Sequence, residues 1–313
     1  MQHSYAIIGT GAVGGLYGAR LQHAGHDVHF LAHSDYEHVR AHGLRVTSPW
    51  GHVTLPRVQA YARSSDMPAC DVICVCLKTT QNHLLPALLA PLVRPGTVIL
   101  LMQNGLGAEE EVAARFPQAR VAGALCFLCC NKTGPGVIHH VDYGHILLGM
   151  HGAGPDDTLR RIAAEFTAAG IPNELKASLA DARWRKLFWN IPFNGLSVIL
   201  QAETDAIMAD TSSRGLAHAL LQEVLAGAHA CGYAIEDAFM QHIMDFTDKM
   251  KPYRTSMALD YAAGRALEIE YIYDRPLAAA RQAGLAMPRV ATLADELHFL
   301  DRRRRAAPAT PGA

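Results

Sequence analysis

Lys186, Asn190 and Asn194 stand four residues apart in the segment Trp184-Arg185-Lys186-Leu187-Phe188-Trp189-Asn190-Ile191-Pro192-Phe193-Asn194. At 3.6 residues per turn, such positions share one slowly drifting helix face, each about 6 Å of rise from the next. The strip presents one potential proton donor and two neutral amides, with aromatic bulk on the other sides. A surface helix would carry a mixed charged face, and a core helix has no use for Lys or Asn. The same residues also suit a Lys snorkelling from a partly buried helix, with two Asn satisfying backbone groups.

Elements at the other end of the chain bear on the choice. Tyr5 to Ile8 is a short apolar run of the kind that makes a buried parallel strand. Gly9-x-Gly11-x-x-Gly14 follows at once, then a helix over Leu16–Ala24 that stops at Gly25, then a second strand over Asp27–Leu31. In this context Gly9 allows the tight turn, Gly11 admits a pyrophosphate, and Gly14 lets helix and strand pack closely. The exposed amides and positive end of the helix then bind phosphate. The residues expected at a dinucleotide are therefore Gly9, Thr10, Gly11, Ala12, Val13 and Gly14.

Composition narrows the classes. In 313 residues half are hydrophobic and the formal net charge is -1, so nucleic-acid binding and disorder are both disfavoured. The only basic run, Arg302-Arg303-Arg304-Arg305, precedes an Ala/Pro-rich end, and the reading there is a disordered, solvated tail over 303–313. No signal-type leader and no uninterrupted run of ~20 apolar residues occurs, which points to a cytoplasmic protein that does not enter a membrane. The seven cysteines sit mostly in apolar runs, as reduced core cysteines do. Cys126-x-x-Cys129-Cys130 has no second CxxC or spaced His pair to complete a zinc site, so core packing is expected and no metal.

Strands at Asp71–Leu77, Thr97–Met102 and Val121–Leu128 alternate with helices at Leu84–Leu92 and Glu109–Phe116. A hairpin over Val137–His140 and His145–Gly149 finishes the sheet. The alternation predicts a parallel, doubly wound sheet with helices on both faces, with ligands beyond the carboxyl ends of the strands. Lys78 and Asn104 fall on such ends. After about residue 175 strand signals vanish, and helices are expected over Leu179–Val198, Gly215–Cys231, Glu236–Met250, Tyr271–Gly284 and Pro288–Asp301. The fold class is thus an α/β, Rossmann-type domain (1–175) followed by an all-helical domain (176–302). A cleft between domains is the default place for a small-molecule site.

Taken together, the chain resembles the ketopantoate reductase family. The resemblance runs from the first strand to about residue 300. It rests on Gly9-Thr10-Gly11-Ala12-Val13-Gly14-Gly15, Leu77-Lys78, Gln103-Asn104-Gly105-Leu106-Gly107, and Trp184-Arg185-Lys186-Leu187-x-x-Asn190-x-x-x-Asn194. The last piece is Ser256-Met257-x-x-Asp260-x-x-x-Gly264-Arg265-x-x-Glu268-Ile269-Glu270-Tyr271-Ile272. The resemblance implies NADPH-dependent reduction of a 2-oxo acid to a 2-hydroxy acid, in pantothenate biosynthesis. It implies Lys186 as proton donor with Glu268 at the catalytic site, and substrate contacts from Asn190, Asn194, Ser256 and Asn104. Lys78, Asn104, Leu128 and Glu268 would border the cofactor.

The chemistry agrees with the residue types. Hydride addition leaves negative charge on the ketone oxygen, so a cation within hydrogen-bond reach both stabilises and protonates it. An ordinary Lys, of pKa ~10.4, is a sluggish acid at neutral pH, and desolvation would make it a better one while Glu268 pulls the other way. On residue type alone, Ser256 also reads as a helix N-cap and Glu268 and Glu270 as acids early in a helix.

Three positions depart from the family's pattern. Where relatives often carry Arg for the NADP 2'-phosphate, the second strand ends Leu31-Ala32-His33-Ser34-Asp35, so His33 and Ser34 are the expected phosphate donors. No acid stands directly at the strand end, which favours NADP over NAD. Thr204 replaces a third substrate-binding Asn, and Pro192 should kink the catalytic helix. A 3-hydroxyacid or 6-phosphogluconate-type dehydrogenase shares the Lys-x-x-x-Asn helix but usually has a longer second domain. A silent NADPH-binding regulator would have lost the proton donor. The partner expected is a small 2-oxo acid, and the assembly a homodimer through the helical domain.

Overall fold

In the computed structural model residues 2–306 are described, so the end of the tail read over 303–313 lies outside the described residues. The chain divides into two compact units, Met1–Asn104 with Ala108–Ala182, and Gly105–Gly107 with Arg183–Ala313. The division falls at 182/183 rather than after 175, and the short Gly105–Gly107 segment groups with the second unit. Among the described residues no helix is long and apolar enough to cross a membrane.

The first unit carries strands β1 (Tyr5–Ile8), β2 (Val28–Leu31), β3 (Leu44–Thr47), β4 (Val53–Leu55), β5 (Gln59–Tyr61), β6 (Val72–Val75), β7 (Val98–Leu101), β8 (Arg120–Gly134), β9 (Val137–Met150) and β10 (Asn173–Leu175). Its helices are α1 (Ala12–His23), α2 (Tyr36–His42), α3 (Leu85–Leu89), α4 (Ala108–Arg115) and α5 (Asp157–Ala168). They build one sheet in the order β4-β3-β9-β8-β7-β6-β1-β2-β5, with β10 on β9. β1, β2, β6 and β7 are buried along their whole length, as parallel strands covered on both faces must be. Alternate residues feed opposite faces: Tyr5, Ile7, Cys74 and Leu100 join one core, and Ala6, Ile8, Val75 and Leu101 the other.

The sheet is mixed rather than all-parallel. The two short segments read at Val137–His140 and His145–Gly149 are one 14-residue strand, antiparallel to the 15-residue β8. Register shifts between Phe127 and Leu128, Cys129 and Cys130, and Lys132 and Gly134 interrupt this ladder. Such irregularities bend and twist a strand pair. Within this interrupted stretch the Cys130 thiol lies 3.7 Å from the carbonyl of Ala12, the first residue of α1. All seven cysteines are free. His140, on β9, faces Ser48 Oγ at 2.8 Å through Nδ1 and the carbonyls of Asp142 and Tyr143 through Nε2. Burial pushes its pKa down, which suits a neutral ring serving as a structural tie.

The second unit is helical. α6 (Leu179–Trp189) belongs to this unit from Arg183 on, and a π-helical turn, Asn190–Asn194, leads into α7 (Gly195–Ile199). Then come α8 (Thr204–Ala209), α9 (Thr211–Ala230), α10 (Ala238–Lys249), α11 (Ser256–Ala262), a second π-turn at Glu270–Asp274, α12 (Arg275–Gln282) and α13 (Pro288–Ala306). Its core gathers Trp184, Leu187, Phe188, Ile191 and Phe193 with Leu220, Leu221, Ile272 and Leu293. The continuous helix read over Leu179–Val198 is thus broken. Pro192 has no N–H for the α-helical ladder, and the widened turn around it absorbs the loss.

α13 also corrects the tail. Arg302 to Arg305 are helical: Arg305 pairs with Asp301 at 2.7 Å, and Arg304 Nη2 donates to the Ala262 carbonyl at 3.2 Å. Four like charges stay helical because they lie in the last turns, where cations oppose the helix dipole and an i,i+4 acid is available.

Candidate active site

In the first unit Ile8 lies in register with both Leu31 and Val75, and Val75 with Leu101. The carboxyl ends of β1, β2, β6 and β7 therefore form one edge. The glycine loop, His33 and Ser34, Lys78 and Asn104 all follow directly on that edge. β1 sits between β2 and β6, which is where the strand order reverses and where such sheets bind ligands. Gln103 locks two of these ends together, its Nε2 donating to the Leu77 carbonyl at 2.8 Å and to Asn82 Oδ1 at 2.7 Å. His33, Ser34 and Lys78 are exposed, Asn104 and Leu128 half-buried.

The glycine loop fits a dinucleotide. Thr10 donates to the Leu31 carbonyl through both N–H, at 3.3 Å, and Oγ1, at 3.0 Å, so the turn is fastened to the end of β2. Gly11 is the N-cap of α1 and provides no side-chain acceptor, and no acid occupies the first turn. The first N–H groups and the positive end of α1 are left for an anion. A Cβ on Gly11 would meet nothing within 4 Å, so this position is open. Gly11→Ala is therefore expected to keep the wild-type Tm while weakening dinucleotide binding by ~10-fold or more, the scale of an overpacking penalty. Thermal melts and a fluorescence titration check this, and an unchanged Kd would remove the pyrophosphate from Gly11.

In the second unit Lys186 is 8% exposed, Asn190 5% and Asn194 2%. The snorkelling alternative needs the ammonium in water, and this one is buried. Asn190 Nδ2 and Asn194 Oδ1 are themselves buried with no protein hydrogen-bond partner. Leaving a buried amide group unsatisfied costs about 1–3 kcal/mol, which a bound polar molecule would recover. The carbonyls of the π-turn are better served, since Tyr273 Oη donates to Ile191 O at 2.9 Å. Burial pushes the Tyr273 hydroxyl well above the ordinary tyrosine value, so it stays a donor.

Glu268 and Glu270, inseparable on residue type, differ sharply in place. Glu268 is 5% exposed, immediately after Leu267, whose N–H donates to Asp301 Oδ1 at 3.1 Å. The Glu270 carboxylate is exposed and paired with Arg275 at 2.8 Å. Thr255, not Ser256, caps α11, its Oγ1 accepting from Ala258 N–H at 3.2 Å. Ser256 is thus released from the capping role. The Thr255 hydroxyl meets Ser197 Oγ at 2.6 Å, and Ser197 donates to the Asn194 carbonyl at 3.0 Å. One direction satisfies every proton: Ala258 N–H to Thr255, Thr255 O–H to Ser197, Ser197 O–H to Asn194. This chain joins the amide strip to the start of α11. Thr204 is buried as well, and its Oγ1 accepts from Tyr253 N–H at 3.3 Å.

The expected site residues are therefore grouped in two sets, one on the strand edge of the first unit and one in the helical core of the second. Sequence reasoning quoted Gln103 without giving it a role, and missed Ser197, Thr255 and Tyr273. Ser197 had a signal, lying three residues after Asn194 on the same helical strip. Tyr273 had none, because its partner carbonyl lies 82 positions away.

Residues 5–153 match the family model described as ketopantoate reductase PanE/ApbA, and residues 178–301 match its C-terminal companion. The chain is 53% identical over 309 residues to a 2-dehydropantoate 2-reductase of Nostoc sp., covering 97% of each. Among solved structures it is similar to the 2-dehydropantoate 2-reductase of Geobacter metallireducens, with 43% identity and a TM-score of 0.91 over 95% of this chain and 99% of that one. It is also similar to that of Methylococcus capsulatus, with 34% identity and a TM-score of 0.90 over 97% and 98%.

Proposed function

Because the chain belongs to the ketopantoate reductase family, whose chemistry is nicotinamide-dependent oxidoreduction, we propose that it reduces a hydroxylated 2-oxo acid with NADPH. Ketopantoate or a close analogue is the substrate class and the product is the 2-hydroxy acid, as pantothenate synthesis requires. The proposed setting is the cytoplasm, with the protein acting as a homodimer.

One observation carries the reading: a buried Lys186 near the end of α6 is followed in the π-turn by two buried amides, one short of an acceptor and the other short of a donor. Asn190 Nδ2 needs an acceptor, which a ketone or carboxylate oxygen supplies. Asn194 Oδ1 needs a donor, which a bare 2-oxo acid lacks and a substrate hydroxyl provides.

Bound NADPH would supply the hydride. Gly9, Thr10, Gly11, Ala12, Val13 and Gly14 would hold its pyrophosphate, and Lys78, Asn104, Leu128 and Glu268 would border it. Lys186 holds the proton that the ketone oxygen takes up. As that oxygen acquires charge, the ammonium stabilises it and then delivers a proton from Nζ. Asn190 and Asn194 fix the substrate so that its carbonyl stays within reach of Nζ. Ser256 donates to the substrate carboxylate, and Glu268 adds a carboxylate acceptor.

The test is NADPH oxidation across a panel of 2-oxo acids that includes ketopantoate and its deoxy counterpart, 2-oxoisovalerate. A site built to bind a hydroxyl is expected to favour ketopantoate by ~10²-fold or more in kcat/KM. Equal rates for the pair would take Asn194 out of substrate recognition, and no turnover of any member would end the proposal.

A further inference from the structure

Lys132 lies in β8, far in sequence from the glycine loop, yet its Nζ donates to the Thr10 carbonyl at 3.1 Å. The same ammonium stands 2.6 Å from Asp35 Oδ2. That oxygen also accepts from the Gly136 N–H at 3.0 Å, at the turn between β8 and β9. Thr10 is in turn fastened to the Leu31 carbonyl. Lys132 Nζ therefore sits where the glycine turn meets the end of β2, the place where a dinucleotide fold reads the adenosine ribose.

Two consequences follow for what can be read there. Asp35 is the first acid after this strand end, and a free acid would accept the ribose hydroxyl of NAD and repel a 2'-phosphate. Here the carboxylate is 7% exposed and already engaged by a cation and a backbone N–H. An ammonium has three donors, of which Asp35 and Thr10 take two. The Lys132 side chain is 27% exposed, so the cationic member of the pair is the one nearer solvent. His33 and Ser34, both exposed, add neutral donors beside it. A phosphate of charge about -1.5 to -2 gains most from a cation it can reach.

We infer that Lys132 sets the cofactor preference of this protein, supplying the cation for the 2'-phosphate of NADPH and masking Asp35 as an acceptor for NADH. The inference rests on the NADPH reading above. It differs from a purely structural account, in which Lys132 only pins the hairpin to the glycine loop, because pinning affects both cofactors alike.

Direct binding separates the two. NADPH and NADH are titrated by quenching of protein fluorescence into the wild type, Lys132→Met, Lys132→Arg and the double variant Lys132→Met with Asp35→Asn. The double variant leaves no buried carboxylate unpaired, so it keeps the experiment meaningful if the single variant does not fold. Losing one charge-assisted hydrogen bond is expected to weaken NADPH binding by about 10-fold or more in both Met variants, with NADH binding tightened in Lys132→Met, where Asp35 is unmasked, and changed by less than about threefold in the double variant. Lys132→Arg is expected to keep the NADPH preference. Met variants that retain the wild-type ratio of the two affinities, or lose both cofactors equally, overturn the assignment while the NADPH reading stands. A wild type that binds NADH more tightly overturns both.

Discussion

Lys186→Ala lowers kcat/KM for 2-oxo acid reduction by ~10²- to 10⁴-fold, the range of a lost general acid, while the Kd for NADPH stays within a factor of about two. The expectation follows from where the residue lies. Lys186 is 8% exposed, so little bulk water is at hand to stand in as proton donor. The glycine loop that would bind the cofactor belongs to the other compact unit, where Thr10 is fastened to the Leu31 carbonyl. Lys186→Met keeps most of the packing and carries no transferable proton, so it should show the same loss. Steady-state rates alongside a fluorescence titration measure both quantities, and a Met variant with wild-type turnover would remove Lys186 from the chemistry.

The second large effect is expected at Gly14. A Cβ there would lie 2.2 Å from the Gly9 carbonyl oxygen and 2.8 Å from Ile7 Cγ2. The first neighbour is backbone inside the turn and cannot yield without opening it. Gly14→Ala should destabilise the protein by about 1–3 kcal/mol and abolish measurable dinucleotide binding at concentrations ~10²-fold above the wild-type Kd. Gly11→Ala, by contrast, fills space open in the protein and should affect the ligand alone. A Gly14→Ala protein with normal Tm and affinity would mean that the turn relaxes more easily than its packing indicates.

The first βαβ unit was legible, though its helix starts at Ala12 and not Leu16, because its signals are local: an apolar run, three glycines in one turn, and a second apolar run that pairs in register with the first. β3, β4 and β5 were not, because Arg45, Thr47 and Thr54 point outward and Pro49, Gly51 and Pro56 punctuate the stretch like a loop. β9 read as two strands since Tyr143 and Gly144 take positive φ, 57° and 120°, in mid-strand. That is an irregularity of a long twisted ladder and not a turn. α5 did have a pattern, with Leu159, Ile162, Ala163 and Phe166 buried at helical spacing behind the Asp156 cap, and the reading passed over it.

The site was legible in part for the same reason. Lys186, Asn190 and Asn194 lie within nine consecutive residues of α6 and the π-turn that follows it, so spacing alone could propose them. Glu268 could be told from Glu270 only by burial. Lys132 could not be found at all, because its link to Thr10 spans 122 positions and depends on how a bulged hairpin curls.

The π-turn at Asn190–Asn194 also bears on what lengths of chain this fold tolerates. A five-residue turn inside a helix is an extra residue that regular geometry has no room for. Deleting one residue from the turn would let α6 and α7 fuse into a single regular helix, a gain in backbone regularity. Five residues at π spacing turn the chain about as far as four at α spacing, so the elements downstream would keep nearly their present direction. Leu196 and Val198 would stay in the core and Ser197 beside Thr255. The loss would fall on the turn itself, because one residue fewer there changes how Asn190 and Asn194 face relative to Lys186, whereas a substitution changes one contact at a time. Among sequences that keep the activity, variation here should therefore run through residue identity and never through length.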